Sequence, residues 1–204
     1  MYNLKPRKDN IFKIESFTDA DLGGCRTSRK STSGGCISLN GSIIHTWAKQ
    51  QDTIADSSAE SEFIGMTQAC KQIKYLQQFL DELGIILGEI PILHVDNTSA
   101  MIMVTSNIKS RVKHLDRKKY WIRDFITNQN VIVKYIETKL NLADVFTKYV
   151  ENTVFQKLRP AVMGRIYPEE IKIEEVEKKT KKPKKTNDTT ETEVDCKTKP
   201  NKVK

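Results

Sequence analysis

Between residues 57 and 83, Phe63, Met66, Ala69, Ile73, Leu76, Leu80 and Leu83 recur at three- and four-residue spacing. That period predicts one long amphipathic helix, stopped by Gly84, whose apolar stripe must be buried against other elements. The flanking sequence supplies them. Residues 11–19 read as a strand, and 34–48 as a hairpin turning on Asn40-Gly41. A short strand over 91–96 leads into a short helix over 97–106, followed by a second long helix over 110–128. A strand over 131–137 and a helical region starting near Leu140 complete the pattern. Hairpin strands followed by helix–strand–helix units predict an α/β fold, a mixed sheet with helices packed on it.

Composition changes near Pro168. From there on the chain is rich in Lys and Glu and nearly free of large apolar residues after Val176. Such a stretch cannot bury enough apolar surface to offset its ordering entropy, so 168–204 is expected to be a disordered tail. Its run "KKTKKPKK" reads as a solvated charged segment before a nucleic-acid or nuclear-import patch. The expected organisation is an N-terminal extension (1–10), one domain (11–150), a C-terminal helical extension (151–167) and the tail. The net charge of +8, with a basic surplus in the domain as well, favours a polyanionic partner, nucleic acid before membrane. Four cysteines, at 25, 36, 70 and 196, show no C-x-x-C spacing and read as reduced thiols. With no long apolar span and no apolar core near the N-terminus, the chain is expected to be soluble and intracellular.

The carboxylates carry the chemistry. In "DSSAESEF", Ser57 and Glu60 fit a capping box, in which Glu60 reaches back to the N–H of the cap residue. Glu62 instead shares a face with Met66, Ala69 and Ile73, where an ionised carboxylate is costly unless a cation or donor meets it. Asp19 and Asp96 each close a strand. If those strands are parallel neighbours, their ends lie about 4.8 Å apart, at the carboxyl edge where α/β sheets place ligands. Asp144, in "NLADVFTK", is either a helix cap or a further member of the group. Four carboxylates without His or Cys would select Mg²⁺ or Mn²⁺ over zinc.

Five blocks in one order extend these single residues: "TDADLGG…SRKSTSGG", "SIIHTWAKQQDTIADSSAESEF", "ILHVDNTSAM", "RVKHLDRKKYWIRD" and "YIETKLNLADVFTKYV". Together they closely resemble the ribonuclease H domain of copia-type (pseudovirus) retrotransposon Pol polyproteins, over residues 11–150. The resemblance implies a ribonuclease H-like fold: a five-stranded mixed sheet, three antiparallel strands and two parallel, flanked by helices. It implies catalytic, metal-binding carboxylates at Asp19, Glu62, Asp96 and Asp144, and so chooses the same glutamate as the helical-face argument. The implied activity is hydrolysis of the RNA strand of RNA/DNA hybrids, leaving 5′-phosphate and 3′-hydroxyl ends, with two Mg²⁺ (or Mn²⁺) ions.

The sequence departs from the family pattern in places. Leu22 and Cys25 stand where many members have Trp and Asp, Tyr120 replaces a common His, and the loop "ETKLNL" lacks a histidine. Leu22 and Cys25 bear on local packing more than on catalysis, and the missing loop histidine leads to an expectation of modest turnover, not inactivity. Weaker candidates for substrate contact are Arg29, Lys30 and Ser31 beside Asp19, Asn97 after Asp96, and Lys113 and His114 in "KHLD". Each has a plain structural alternative: a polar turn, a helix cap or a solvated helix face. The expected partners are an RNA/DNA hybrid and the reverse transcriptase domain of the same polyprotein. The expected place is the cytoplasm, in virus-like particles, or the nucleus. No polymerase, integrase or protease motif accompanies the domain, so the chain is expected to be a fragment or a solitary remnant. The competing reading is a catalytically inactive, nucleic-acid-binding remnant of such a polyprotein.

Overall fold

The computed structural model describes residues 12–105, 113–165, 168 and 171. In chain order the strands are β1 (Ile14–Ala20), β2 (Thr32–Leu39), β3 (Ser42–Gln50), β4 (Ile92–Val95) and β5 (Ile132–Tyr135). The helices are α1 (Ser58–Glu82), α2 (Thr98–Thr105), α3 (Lys113–Thr127), α4 (Asp144–Thr147) and α5 (Asn152–Val162), with a 3₁₀ turn at Thr138–Leu140.

The hairpin turn fixes the register of the sheet. Asn40 and Gly41 take φ values of 50° and 83°, the left-handed conformation that a two-residue turn demands and these residue types tolerate. The Asn40 side chain accepts the Lys13 N–H at 2.8 Å, and its own N–H donates to the Lys13 carbonyl at 2.9 Å. The turn is thereby fastened to the entry of β1. From it β2 pairs with both β3 and β1 antiparallel, with a register shift between Ile37 and Ser38. On its other side β1 pairs parallel with β4, and β4 parallel with β5. The order is β3-β2-β1-β4-β5, three antiparallel strands and then two parallel ones, as the resemblance implies for a ribonuclease H-like fold.

Strand alternation sorts side chains onto two faces. Ile14, Ile37, Leu93 and Val95 pack with Phe63, Met66, Ala69 and Ile73 of α1 and with Val104 and Ile122 of α2 and α3. Each of these large side chains, fully withdrawn from water, contributes about 1.5–3 kcal/mol. The opposite face gathers Phe17, Cys36, Ile43, Ile136, Leu142 and Ala143 under Leu158 and Ala161 of α5. The long helix closes with a Schellman motif, Ile85 N–H to Leu80 O and Gly84 N–H to Asp81 O, both 2.9 Å.

Boundaries differ from the sequence reading where pairing runs out. Phe12 makes only an isolated parallel bridge with Leu87, so β1 begins at Ile14 rather than near residue 11. The helical region after Leu140 divides, because Lys148 is extended (φ −143°, ψ 162°) and ends α4 after one turn. The readings of 1–10 and of the 168–204 tail lie outside the described residues, apart from Pro168 and Ile171, which are buried. Among the described residues no helix is long and apolar enough to cross a membrane.

Candidate metal centre

Three elements deliver carboxylates to one point. Asp19 lies one residue before the end of β1 and is 1% exposed. Asp96 follows the last residue of β4, the parallel neighbour of β1. Glu62 comes from the first turns of α1, whose apolar stripe holds it against the sheet. One oxygen from each of Asp19, Glu62 and Asp96 lies within 4.8 Å of the other two. Glu62 Oε2 and Asp96 Oδ1 are buried and have no hydrogen-bond partner among the described residues.

Asp144 is the first residue of α4 and is buried. It does not cap that helix: Ala143 holds the cap position, without a side-chain bond. Its Oδ1 faces the Lys148 ammonium at 3.2 Å, and the same ammonium lies 3.4 Å from Asp19 Oδ2. Thr147 Oγ1 donates to Asp19 Oδ2 as well. Gly34, paired with Asp19 across the β1–β2 ladder, lets α4 come this close. A Cβ there would stand 2.7 Å from Thr147 Cγ2 and 2.8 Å from Phe146 Cβ.

The group resists its own ionisation. Burial, followed by the charges of Asp19 and Asp96, pushes Glu62 up to about 9. Burial and then Asp19 raise Asp144 to about 7, against the pull of Lys148. Asp96 rises too, since burial and Asp19 outweigh the hydrogen bond from Thr138. Burial alone would lower Lys148, but Asp19 and Asp144 carry it above its ordinary value. Crowded carboxylates with unpartnered oxygens, and no sulfur or imidazole among them, fit a hard divalent cation such as Mg²⁺ or Mn²⁺.

The remaining candidates divide. Glu60 forms most of its box: its N–H donates to Ser57 Oγ at 3.2 Å. Its carboxylate, however, accepts from the Asp56 N–H at 3.0 Å, one residue before the cap. Asn97 Oδ1 accepts the Ala100 N–H at 3.0 Å and so caps α2. Ser31 is fully buried and accepts the Gly23 N–H at 3.1 Å. Arg29 is exposed and Lys30 half-buried in the loop that leaves the Asp19 end of β1. Lys113 and His114 open α3, and the reading of their side chains lies outside the described residues. Leu22, half exposed, and Cys25, in contact with the Ser28 N–H, depart from the family pattern within that loop and not within the carboxylate group.

Three contributors escaped the sequence reading. Lys148 had a legible signal, since it stands four residues after Asp144 in a helical stretch. Thr147 and Asn141 had none. Asn141, fully buried, donates Nδ2 to the Thr18 carbonyl at 3.0 Å and ties the loop before α4 to β1 beside Asp19.

No family model matches the chain. Over 150 residues, 73% of this chain, it is 33% identical to the retrovirus-related Pol polyprotein from transposon TNT 1-94 of Nicotiana tabacum, of which it covers 11%. It is 28% identical over 151 residues to the corresponding polyprotein from transposon RE1 of Arabidopsis thaliana, covering 74% of the chain and 10% of the polyprotein. The Ty1-DR1 Gag-Pol polyprotein of Saccharomyces cerevisiae is 31% identical over 158 residues, 76% of the chain and 9% of the polyprotein. The chain thus spans about a tenth of the length of these relatives. Among solved structures, RNase H1 from Halobacterium salinarum is 14% identical at a TM-score of 0.49, covering 66% of this chain and 94% of that one. LC11-RNase H1 in complex with an RNA/DNA hybrid is 17% identical at a TM-score of 0.49, covering 66% and 93%.

Proposed function

Because the chain is a homologue of copia-type retrotransposon Pol polyproteins and its sheet has the ribonuclease H strand order, we propose that it is a metal-dependent ribonuclease H that hydrolyses the RNA strand of RNA/DNA hybrids. The observation that carries the reading is the meeting of Asp19, Glu62 and Asp96 oxygens within 4.8 Å at the carboxyl ends of two parallel strands. In this reading Asp19, Glu62, Asp96 and Asp144 hold two divalent ions, Mg²⁺ or Mn²⁺. Bound there, such ions supply a deprotonated water and charge stabilisation for an in-line displacement at phosphorus.

The chain's own residues set the geometry. Thr147 and Asn141 fix Asp19 and the loop before Asp144 against β1. Arg29 and Lys30, carried by the loop beside Asp19, meet backbone phosphates, so binding weakens as salt rises and depends little on sequence. The domain in this proposal is 11–150, and its work belongs to reverse transcription. That places it beside the reverse transcriptase part of the polyprotein, in cytoplasmic particles or the nucleus.

The reading is tested with a hybrid labelled separately on each strand, beside single-stranded RNA and duplex DNA, with Mg²⁺, Mn²⁺ or chelator. The expected result is cutting of the RNA strand of the hybrid alone, only with metal, leaving 5′-phosphate ends. A folded chain that binds the hybrid without cutting it is instead the non-catalytic remnant.

A further inference from the structure

Asp19 is shared between two unlike edges of the carboxylate group. Glu62 Oε2, Asp96 Oδ1 and Asp144 Oδ1 are all buried without a hydrogen-bond partner among the described residues, but toward Glu62 and Asp96 no ammonium stands within ion-pair distance among them. Toward Asp144, Asp19 faces an ammonium, since Lys148 Nζ lies 3.4 Å from Asp19 Oδ2 and 3.2 Å from Asp144 Oδ1. Thr147 adds a hydroxyl donor to the same Asp19 oxygen. The Lys148 side chain is 40% exposed, whereas its two partners are 2% and 6% exposed. The ammonium therefore reaches in from the mouth of the site and has water to withdraw to.

We propose that Lys148 is a built-in competitor for one of two divalent ions, making the Asp19–Asp144 edge the weaker metal position and the Asp19–Glu62–Asp96 edge the stronger one. The inference rests on the metal-site reading above. An ion arriving at the strong edge meets Glu62 and Asp96, which no ammonium contacts among the described residues, and only its third ligand, Asp19, faces Lys148. An ion arriving at the weak edge must first displace a cation that already pairs with both ligands. Lys148 is thus a positioning residue: it holds Asp19 and Asp144 together and sets the metal concentration at which the site fills.

The test is Mn²⁺ binding to the full 204-residue chain without substrate, followed by calorimetry and by the electron paramagnetic resonance of free Mn²⁺. Wild type is expected to bind one ion tightly and a second more weakly. Lys148→Met is expected to tighten the second constant about tenfold and leave the first nearly unchanged. Lys148→Arg, which keeps the charge, preserves the gap. In an Asp144→Asn background the weak position disappears, and Lys148→Met then shifts the tight constant by less than about twofold. Equal tightening of both constants by Lys148→Met, or no change in either, overturns the proposal while leaving the metal reading intact. Absence of Mn²⁺ binding in every folded variant overturns both.

Discussion

Asn141 donates its side-chain Nδ2 to the Thr18 carbonyl at 3.0 Å, across 123 positions of sequence. Its Oδ1 accepts the Ala143 N–H at 3.1 Å. One buried amide thus joins the residue before Asp19 to the loop that delivers Asp144. Asn141→Ala removes both bonds and leaves the Thr18 carbonyl without this donor. The expected cost is about 2–3 kcal/mol in urea unfolding. A loss of hybrid cleavage is expected to persist at temperatures where the variant is fully folded. Full activity in a folded variant would separate the loop from the site.

Gly34 makes the same junction possible from the other side. Its missing side chain admits Thr147 and Phe146, and the Cβ of an alanine would meet them at 2.7 and 2.8 Å. Gly34→Ala is expected to cost about 1–3 kcal/mol through overpacking and to lower cleavage by moving α4 away from Asp19. Unfolding and cleavage measured on the same preparation check both effects. An alanine accepted without either change contradicts the close approach.

The two neighbouring glutamates should behave oppositely. Glu60 is half-buried at the start of α1 and ties off the Asp56 N–H, so Glu60→Ala should lose about 1 kcal/mol of stability and keep its cleavage rate. Glu62→Gln should lose cleavage. Equal losses of cleavage in the two variants would remove the distinction.

Stability should fall as pH rises when chelator is present. A carboxyl whose folded pKa exceeds its unfolded value binds more protons when folded, so folding weakens between those two values. For Glu62 the window runs from 4.5 to about 9, with burial as the first cause. For Asp144 it runs from 3.8 to about 7, again with burial first. Urea midpoints are expected to decline across these windows, Glu62→Gln to flatten the decline, and Mn²⁺ to restore stability at the alkaline end by binding the folded chain. A midpoint that climbs with pH over the same range contradicts the crowding of these carboxylates.

What the sequence disclosed follows from where the constraint lies. The stripe from Phe63 to Leu80 is periodic, so α1 was legible, and Glu62 stood out because it interrupts that stripe with a charge. Asp19 and Asp96 were legible because strand patterns end at them. The sheet order came from the resemblance of whole blocks, since periodicity does not say which strands pair. Asn141 and Thr147 were opaque: their roles exist only where the loop before α4 meets β1, a contact that spacing along the chain does not encode. The burial of Ser31 was opaque for a similar reason, because a polar residue in a loop reads as exposed until its Gly23 partner is known.

The Asp19–Glu62–Asp96 group, with Asp144, is proposed to perform metal-dependent hydrolysis. The most direct test is the single-turnover cleavage rate of an RNA/DNA hybrid by wild type and by Asp96→Asn, with hybrid affinity measured alongside. Asp96→Asn is expected to bind the hybrid as wild type does and to cut it about a thousandfold more slowly or worse. Cleavage at the wild-type rate by Asp96→Asn, or cleavage by wild type in excess chelator, would contradict the proposal.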